Sequence, residues 1–464
     1  MVGRIGLGLL AGLALCACEG RAPEGPRPSV LLVTVDTLRA DRLGCYGYGL
    51  DTSPEIDALA AGSVLFERAL AGSSATAPSH ASIFSGRFTR GHSVGFRNGD
   101  TALDGVPTLS TKFREAGWAT GAFVGNFVLR RGRGFERGFE VYDDELPDAE
   151  ANRGEIAERV AEATTERALA WLEAQAGQGR PFFLWVHYQD PHGPYAAPGA
   201  WRGRFLRPPD PSERPLPALD DNSGERGIPA YQRLGALRHP SLYTARYAEE
   251  ILYADHWVGE LVRAVDAAAG EGGAVVALTA DHGESFGEGD EWFVHRATTP
   301  EVAHVPLLLR APGLAPGRRS RAVHHVDLLP TLLEWVGLPV PAGVAGAALG
   351  PWLRGEAALP ERLLYTDIGE ELSAYAEGGD AGPAGFLRVS GAAGAWSEGS
   401  AARGLAPHWE RYAWPEGGAW QRVPTGDFPV ERVNAYLRQA EPMRLTRDIS
   451  AEDEEKLRAL GYID

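Results

Sequence analysis

At 464 residues the chain exceeds the size at which one hydrophobic core usually stops growing, which predicts one large domain with a smaller one beside it. Hydrophobic residues make up 44% and charged residues 23%, a globular composition that excludes a disordered or fibrous chain. The net charge of −17, with no basic block beyond pairs such as Arg130-Arg131 and Arg318-Arg319, excludes a surface that tracks nucleic-acid phosphates.

The first residues, "MVGRIGLGLLAGLALCACEG", carry an early arginine and an apolar run from Ile5 to Leu15. That run is shorter than the roughly 20 residues a membrane span needs and suits a signal-peptide core over residues 1–17, so the chain is expected to be exported. Leu15-Cys16-Ala17-Cys18 resembles the lipobox of bacterial lipoproteins. It implies lipid on Cys18 and a membrane anchor in the envelope, periplasm or outer membrane, with an ordinary secretory signal as the alternative. With 1–17 removed only Cys18 and Cys45 remain, so a lipidated Cys18 leaves no disulfide. Residues 18–28, rich in Pro and Gly, read as a tether.

"SVLLVTVD", 29–36, has the apolar, β-branched run of a strand buried on both faces of a parallel sheet, and it ends in a carboxylate. A helix is predicted from Glu55 to Ala61, a short strand at Val64–Phe66, a helix over 107–116 and a strand over 119–124. The longest helical pattern spans 153–176, and "PFFLWVHY", 181–188, is the next buried strand. From 194 to 240 the chain is rich in Pro, Gly and Arg without periodicity, a long insertion that serves as a substrate-facing lid or is disordered. A second long amphipathic helix over 244–268 leads to the strand "GAVVALTAD", 273–281, and "AVHHVDLLPTLLEWVGLP", 322–339, supplies a strand edge and a helix. Beyond about Gly350 periodicity weakens, up to a terminal helix over 450–460. Strands alternating with helices predict an α/β fold: a mixed, mostly parallel sheet flanked by helices over 29–349, with a smaller C-terminal α+β subdomain over 350–464.

Two buried strands end in acids, Asp36 and Asp281, the second followed at once by His282. Carboxyl ends of strands line the ligand crevice of open α/β sheets, so the three groups can converge on one divalent ion, with Mn, Mg, Ca and Zn all compatible. Capping of the following turns is the structural alternative. In "SSATAPSHASIFSGR", 73–87, Pro78 fits the first turn of a helix, and Thr76 precedes it either as an N-cap or as a hydroxyl touching the ion. His187 reads as a satisfied core residue, and His324 and His325 as structural. Asp190, Asp255 and Glu284 read as loop or helix-face acids.

"LLVTVDTLRADRLGCYGY", "TAPSHASIFSGR", "PFFLWVHYQDPHGPY", "LTADHGESFGE" and "VDLLPTLLEWVGLP" together resemble the sulfatase family of the alkaline phosphatase superfamily, in order from about 29 to 350. The resemblance implies that Asp36, Asp281 and His282 bind the cation together with Thr76. It places Thr76 at the nucleophile position, His80 at a catalytic supporting position, and Asn126, His192 and His295 around the anionic ester. Sulfatases convert a Cys or Ser at the nucleophile position into formylglycine, which threonine cannot give. Thr37 stands where a second acid is common, and Gly289 where many relatives have histidine. The expected activity is therefore phosphoryl transfer from a phosphodiester through Thr76, on a lipid headgroup, glycan or small molecule. Sulfate-ester hydrolysis without formylglycine is the alternative, and a surface lipoprotein that only binds an anionic glycan or lipid is a third reading.

Overall fold

The computed structural model describes residues 26–92, 94–95, 103–368, 371–377, 385–390, 408–413, 421–423, 432–433 and 436. The predicted signal peptide, Cys18 and the terminal helix lie outside these residues. The end of the predicted tether does not hang free. Arg27 stacks on Trp118 at 4.2 Å, and Trp118 Nε1 donates to the Pro28 carbonyl at 3.2 Å.

An eight-stranded sheet carries the large body. In chain order its strands are β1 (Ser29–Val35), β2 (Val64–Phe66), β3 (Ala119–Val124), β4 (Val141–Asp143), β5 (Phe182–Tyr188), β6 (Ala274–Ala280), β7 (Leu307–Arg310) and β8 (Gly317–Arg319). Their spatial order is β8-β2-β7-β6-β1-β5-β3-β4. β1 pairs in parallel with both β5 and β6, while β7 runs antiparallel to β6 and to β2. Every residue of β1, β5 and β6 is buried, which is why these strands are continuous apolar runs rather than alternating ones.

The flanking helices include α1 (Pro54–Ala61), α2 (Thr76–Ser85), α3 (Leu109–Glu115), α4 (Ala161–Gln175), α5 (Pro240–Ala268) and α6 (Leu328–Trp335). The helix predicted over 153–176 is shorter than expected, because Arg153–Glu158 is a strand paired with Asp148–Glu150 in a hairpin. Helical side chains such as Glu and Ala are outweighed there by cross-strand pairing. The insertion 194–240 is ordered over its length and packs on the loop beyond β6. Tyr231 Oη donates to the Phe293 carbonyl at 2.9 Å, and Ile228, Tyr231 and Gln232 are buried.

The core of the large body extends through Leu359, past the expected boundary at 349, and a separate apolar cluster begins at Leu363. The second cluster belongs to a five-stranded antiparallel sheet formed by 364–367, 371–376, 385–390, 408–413 and 421–423, the smaller subdomain predicted from the sequence.

Candidate active site and metal centre

Register brings the two acids together. Val35 of β1 lies opposite Ala280 of β6, so the next residues, Asp36 and Asp281, leave the sheet side by side. One ligand atom each from Asp36, Asp281 and His282 lies within 4.8 Å of the others, and all three side chains are buried. Each carboxylate has one oxygen held and one bare. Asp36 Oδ2 accepts from Asn126 Nδ2 at 2.7 Å, and Asp281 Oδ1 accepts from the backbone N–H of Thr37 at 3.2 Å and of His282 at 2.8 Å. Asp36 Oδ1 and Asp281 Oδ2 have no hydrogen-bond partner among the described residues.

His282 completes the set. Its Nδ1–H donates to the Gly283 carbonyl at 3.0 Å, which leaves a lone pair on Nε2, an atom also without a partner. Nε2 stands 3.5 Å from Asp281 Oδ2 and 3.9 Å from Asp36 Oδ1. Burial, and then the neighbouring Asp36 carboxylate, raises the Asp281 carboxyl above its usual range. Bare lone pairs of this kind in a dry site are costly unless a cation meets them, and two carboxylates with one imidazole suit a divalent ion. The residues therefore fit the group that the sequence implies.

Thr76 is the first residue of α2, and Ala75, in extended conformation, occupies the N-cap. The N-cap alternative for Thr76 is thereby set aside. The helix is fixed to the cluster by Ser79, whose Oγ donates to the Asp281 carbonyl at 2.6 Å, and Pro78 sits in the first turn as expected. His80, expected in a supporting position, lies one helical turn beyond Thr76. Nδ1 lies 2.7 Å from the Thr76 carbonyl and Nε2 3.0 Å from Thr34 Oγ1, with the ring buried against Trp185 and Phe135. Both nitrogens are engaged inside the core. Burial, reinforced by His187, lowers its pKa to about 3, so its 3.9 Å approach to Asp281 Oδ2 is no ion pair.

Asn126, expected beside the anionic ester, is bonded at both ends of its amide. Oδ1 accepts from the Val128 N–H at 2.9 Å, and Nδ2 holds Asp36. His192 and His295 do gather beside the cluster. The His295 ring is 4.4 Å from that of His282 and 5.5 Å from that of His192. Burial lowers the His192 pKa to about 4 and that of His295 well below its usual value.

The three acids read as loop or helix-face groups occupy such positions and are buried. Asp255 caps α1 through the N–H groups of Glu55 and Ile56, and Asp190 accepts from the Ala161 N–H at 2.7 Å. Glu284 accepts from Tyr195 Oη at 3.0 Å and stands 3.5 Å from His295 Nδ1, with burial pushing its carboxyl up to about 8. His187 was read as a satisfied core residue, yet its Nε2 has no partner among the described residues and faces Asp36 Oδ2 at 3.5 Å. The signal that could have marked it is its place at the carboxyl end of a buried parallel strand beside β1. His324 and His325 are structural as expected: His324 caps the turn into α6, and His325 Nδ1 meets Ser79 Oγ and the Gly72 N–H.

The sulfatase family model matches residues 28–338. The Delta 4,5-hexuronate-2-O-sulfatase of Bacteroides thetaiotaomicron is 28% identical over 376 residues, covering 74% of this chain and 75% of the relative. Iduronate 2-sulfatase of Homo sapiens is 28% identical over 437 residues, covering 73% and 76%. Among solved structures, the phosphonate monoester hydrolase of Silicibacter pomeroyi shares the fold with a TM-score of 0.61 at 23% identity, over 88% of this chain and 93% of that one. A match over two-thirds of the sequence, on a sheet that delivers its acids from the expected strand ends, makes this chain a member of the sulfatase family and a hydrolase of that family.

Proposed function

We propose that the protein is a metal-dependent hydrolase or transferase of anionic esters, with phosphodiesters as its first substrate class and Thr76 as its nucleophile. The observation that carries this reading is the seat of residue 76, at the start of a helix whose next turn is bonded to Asp281. A divalent ion held by Asp36, Asp281, His282 and the Thr76 hydroxyl would supply positive charge for the ester oxygens and lower the hydroxyl pKa. Thr76 Oγ attacks phosphorus and the bond to the leaving group breaks, with the Thr76 proton passing to the departing alkoxide, so that a phospho-threonine and the free alcohol form. Water or an acceptor alcohol then attacks the same phosphorus and frees Thr76. His192, with its Nδ1–H donated to the Gly193 carbonyl at 2.8 Å, has Nε2 available to take the proton of that second nucleophile. His295, whose ring lies 4.4 Å from that of His282, is near enough to the cluster to meet the ester or its leaving group. Thr76 needs no maturation to formylglycine, which favours phosphoryl transfer.

Sulfate-ester hydrolysis is the second reading, favoured by the two curated relatives, both sulfatases by name. Bis(p-nitrophenyl) phosphate and p-nitrophenyl sulfate assayed in parallel separate the two. Thr76→Ala should lower phosphodiester turnover by about 10³-fold or more while metal supplied in excess is still held by Asp36, Asp281 and His282. Undiminished turnover in that variant overturns the nucleophile, and a large preference for the sulfate reverses the ranking. We also propose export and anchoring through Cys18, on the strength of residues 1–18. Cys18→Ala should then move the protein from the membrane to the soluble fraction. No helix among the described residues is long and apolar enough to cross a membrane.

A further inference from the structure

The two ends of the insertion 194–240 frame a cavity of about 390 Å³. It is lined by Tyr195, Ala196 and Arg202 from the start of the insertion, by Leu234 and Leu237 from its end, and by Arg246 of α5. Its walls are set by hydrogen bonds. Tyr195 is buried, its Oη donates to Glu284 Oε2 at 3.0 Å, and its ring stands edge-on to that of Tyr247 at 5.3 Å. Tyr243 Oη accepts from the Leu234 N–H at 3.0 Å and donates to the Leu237 carbonyl at 3.4 Å, which pins the turn that carries both leucines. A concave site of this volume with fixed, mostly apolar walls suits a small molecule.

The lining also carries more positive charge than its neighbours offset. Arg202 Nε donates to the Ala197 carbonyl at 3.2 Å and Nη2 to the Ala196 carbonyl at 3.1 Å. Both acceptors are neutral, and the side chain has no carboxylate partner among the described residues. Arg246 Nη1 donates to Glu249 Oε2 at 2.9 Å, and the other oxygen of that buried carboxylate accepts from the Phe205 N–H at 3.2 Å. Two guanidinium groups thus face one carboxylate across an apolar cavity, in a chain whose net charge is −17. An inorganic anion there would leave the leucines and the tyrosine ring wet, and a neutral apolar molecule would leave the guanidinium donors unmatched.

We propose that this cavity is an accessory binding site for an amphiphilic organic anion, a fatty carboxylate with a short chain. Its head is taken by Arg202 and Arg246, and its chain lies against Leu234, Leu237 and the Tyr195 ring. The site is distinct from the metal centre, since Asp36, Thr76, Asp281 and His282 do not line it. It therefore stands or falls independently of the metal-dependent reading given above.

Calorimetric titration of the full chain with octanoate tests the site, with acetate supplying the head alone and octanol the chain alone. One octanoate per chain is expected, with acetate and octanol each bound at least about 10-fold more weakly. Arg202→Glu and Leu237→Asp should each weaken octanoate binding by about 10-fold or more. Absence of saturable octanoate binding overturns the proposal. Acetate bound as tightly as octanoate overturns it by removing the apolar walls from the account, and octanol bound as tightly overturns it by removing the arginines. Either variant binding octanoate like the wild type places the anion elsewhere, the metal centre included, and overturns it too. If Leu237→Asp fails to fold, Arg202→Glu, a change at an exposed side chain, decides together with the octanol comparison.

Discussion

Asn126 Nδ2 donates to Asp36 Oδ2 at 2.7 Å, a bond that fixes how the carboxylate turns towards His282. Removing it should loosen the centre without opening the core. Asn126→Ala is expected to weaken zinc binding by about 10–100-fold, read by calorimetric titration, while the melting temperature of the metal-free protein changes little. Ser79 acts through the backbone instead, holding α2 to the Asp281 carbonyl at 2.6 Å. Ser79→Ala should cost about 1–3 kcal/mol in denaturant unfolding, because a buried carbonyl loses its donor, and should lower kcat as Thr76 loses its fixed seat. At this scale the sequence was legible for residue types that advertise their chemistry. Asp36, Asp281 and His282 follow apolar runs, so position along the strand was enough to nominate them. The partners of His80, Asn126 and His187 could not be read in the same way, because side-chain direction depends on neighbours 46, 90 and 153 positions away.

Between elements, the start of α4 and the face of α5 meet over a pair of buried acids, Asp190 and Glu250. The two share a hydrogen bond, and burial raises Asp190 to about 6 and Glu250 well above its usual range. Both folded values lie above those of an unfolded chain, so the fold favours the protonated pair. This contribution is complete below about pH 4 and is lost as pH rises through 6 and beyond. Thermal melts should therefore show stability falling between pH 5 and pH 8 from this pair. Glu250→Gln should flatten that slope and melt about 1–3 °C above the wild type at pH 8; an unchanged slope would show that the pair does not set it. Strands β1, β5 and β6 could be read almost to the residue, since burial on both faces leaves a continuous apolar signature. The hairpin strand Arg153–Glu158 could not, because Ile156 is its one core side chain and its partner, not its own periodicity, makes it a strand.

Across the whole molecule, the C-terminal sheet supports the catalytic body rather than merely following it. Thr366 Oγ1 donates to the Ala71 carbonyl at 2.7 Å and the Asp367 N–H to the Gly72 carbonyl at 3.2 Å, on the segment that leads into α2. Glu371 joins the two bodies, accepting from Thr298 Oγ1 at 2.9 Å and from Arg388 Nε at 2.8 Å. Glu371→Ala strands both donors and should lower the unfolding free energy by about 1–3 kcal/mol, with kcat reduced because Thr298 closely follows His295. Equal activity and stability in the variant would mean that the sheets are independent. This docking was invisible in the sequence, where the region past Gly350 shows little periodicity and its antiparallel pairs only become apolar faces once assembled. The placement of β1 has one more consequence, for the order of events during synthesis. β1 is made first but sits between two strands that are made much later, with Thr34 meeting His187 153 positions on and Thr37 meeting Asp281 244 positions on. On the proposed ligand set, a growing chain that has not yet reached Asp281 would hold Asp36 and Thr76 alone, so metal capture and ester turnover would wait until the sheet closes.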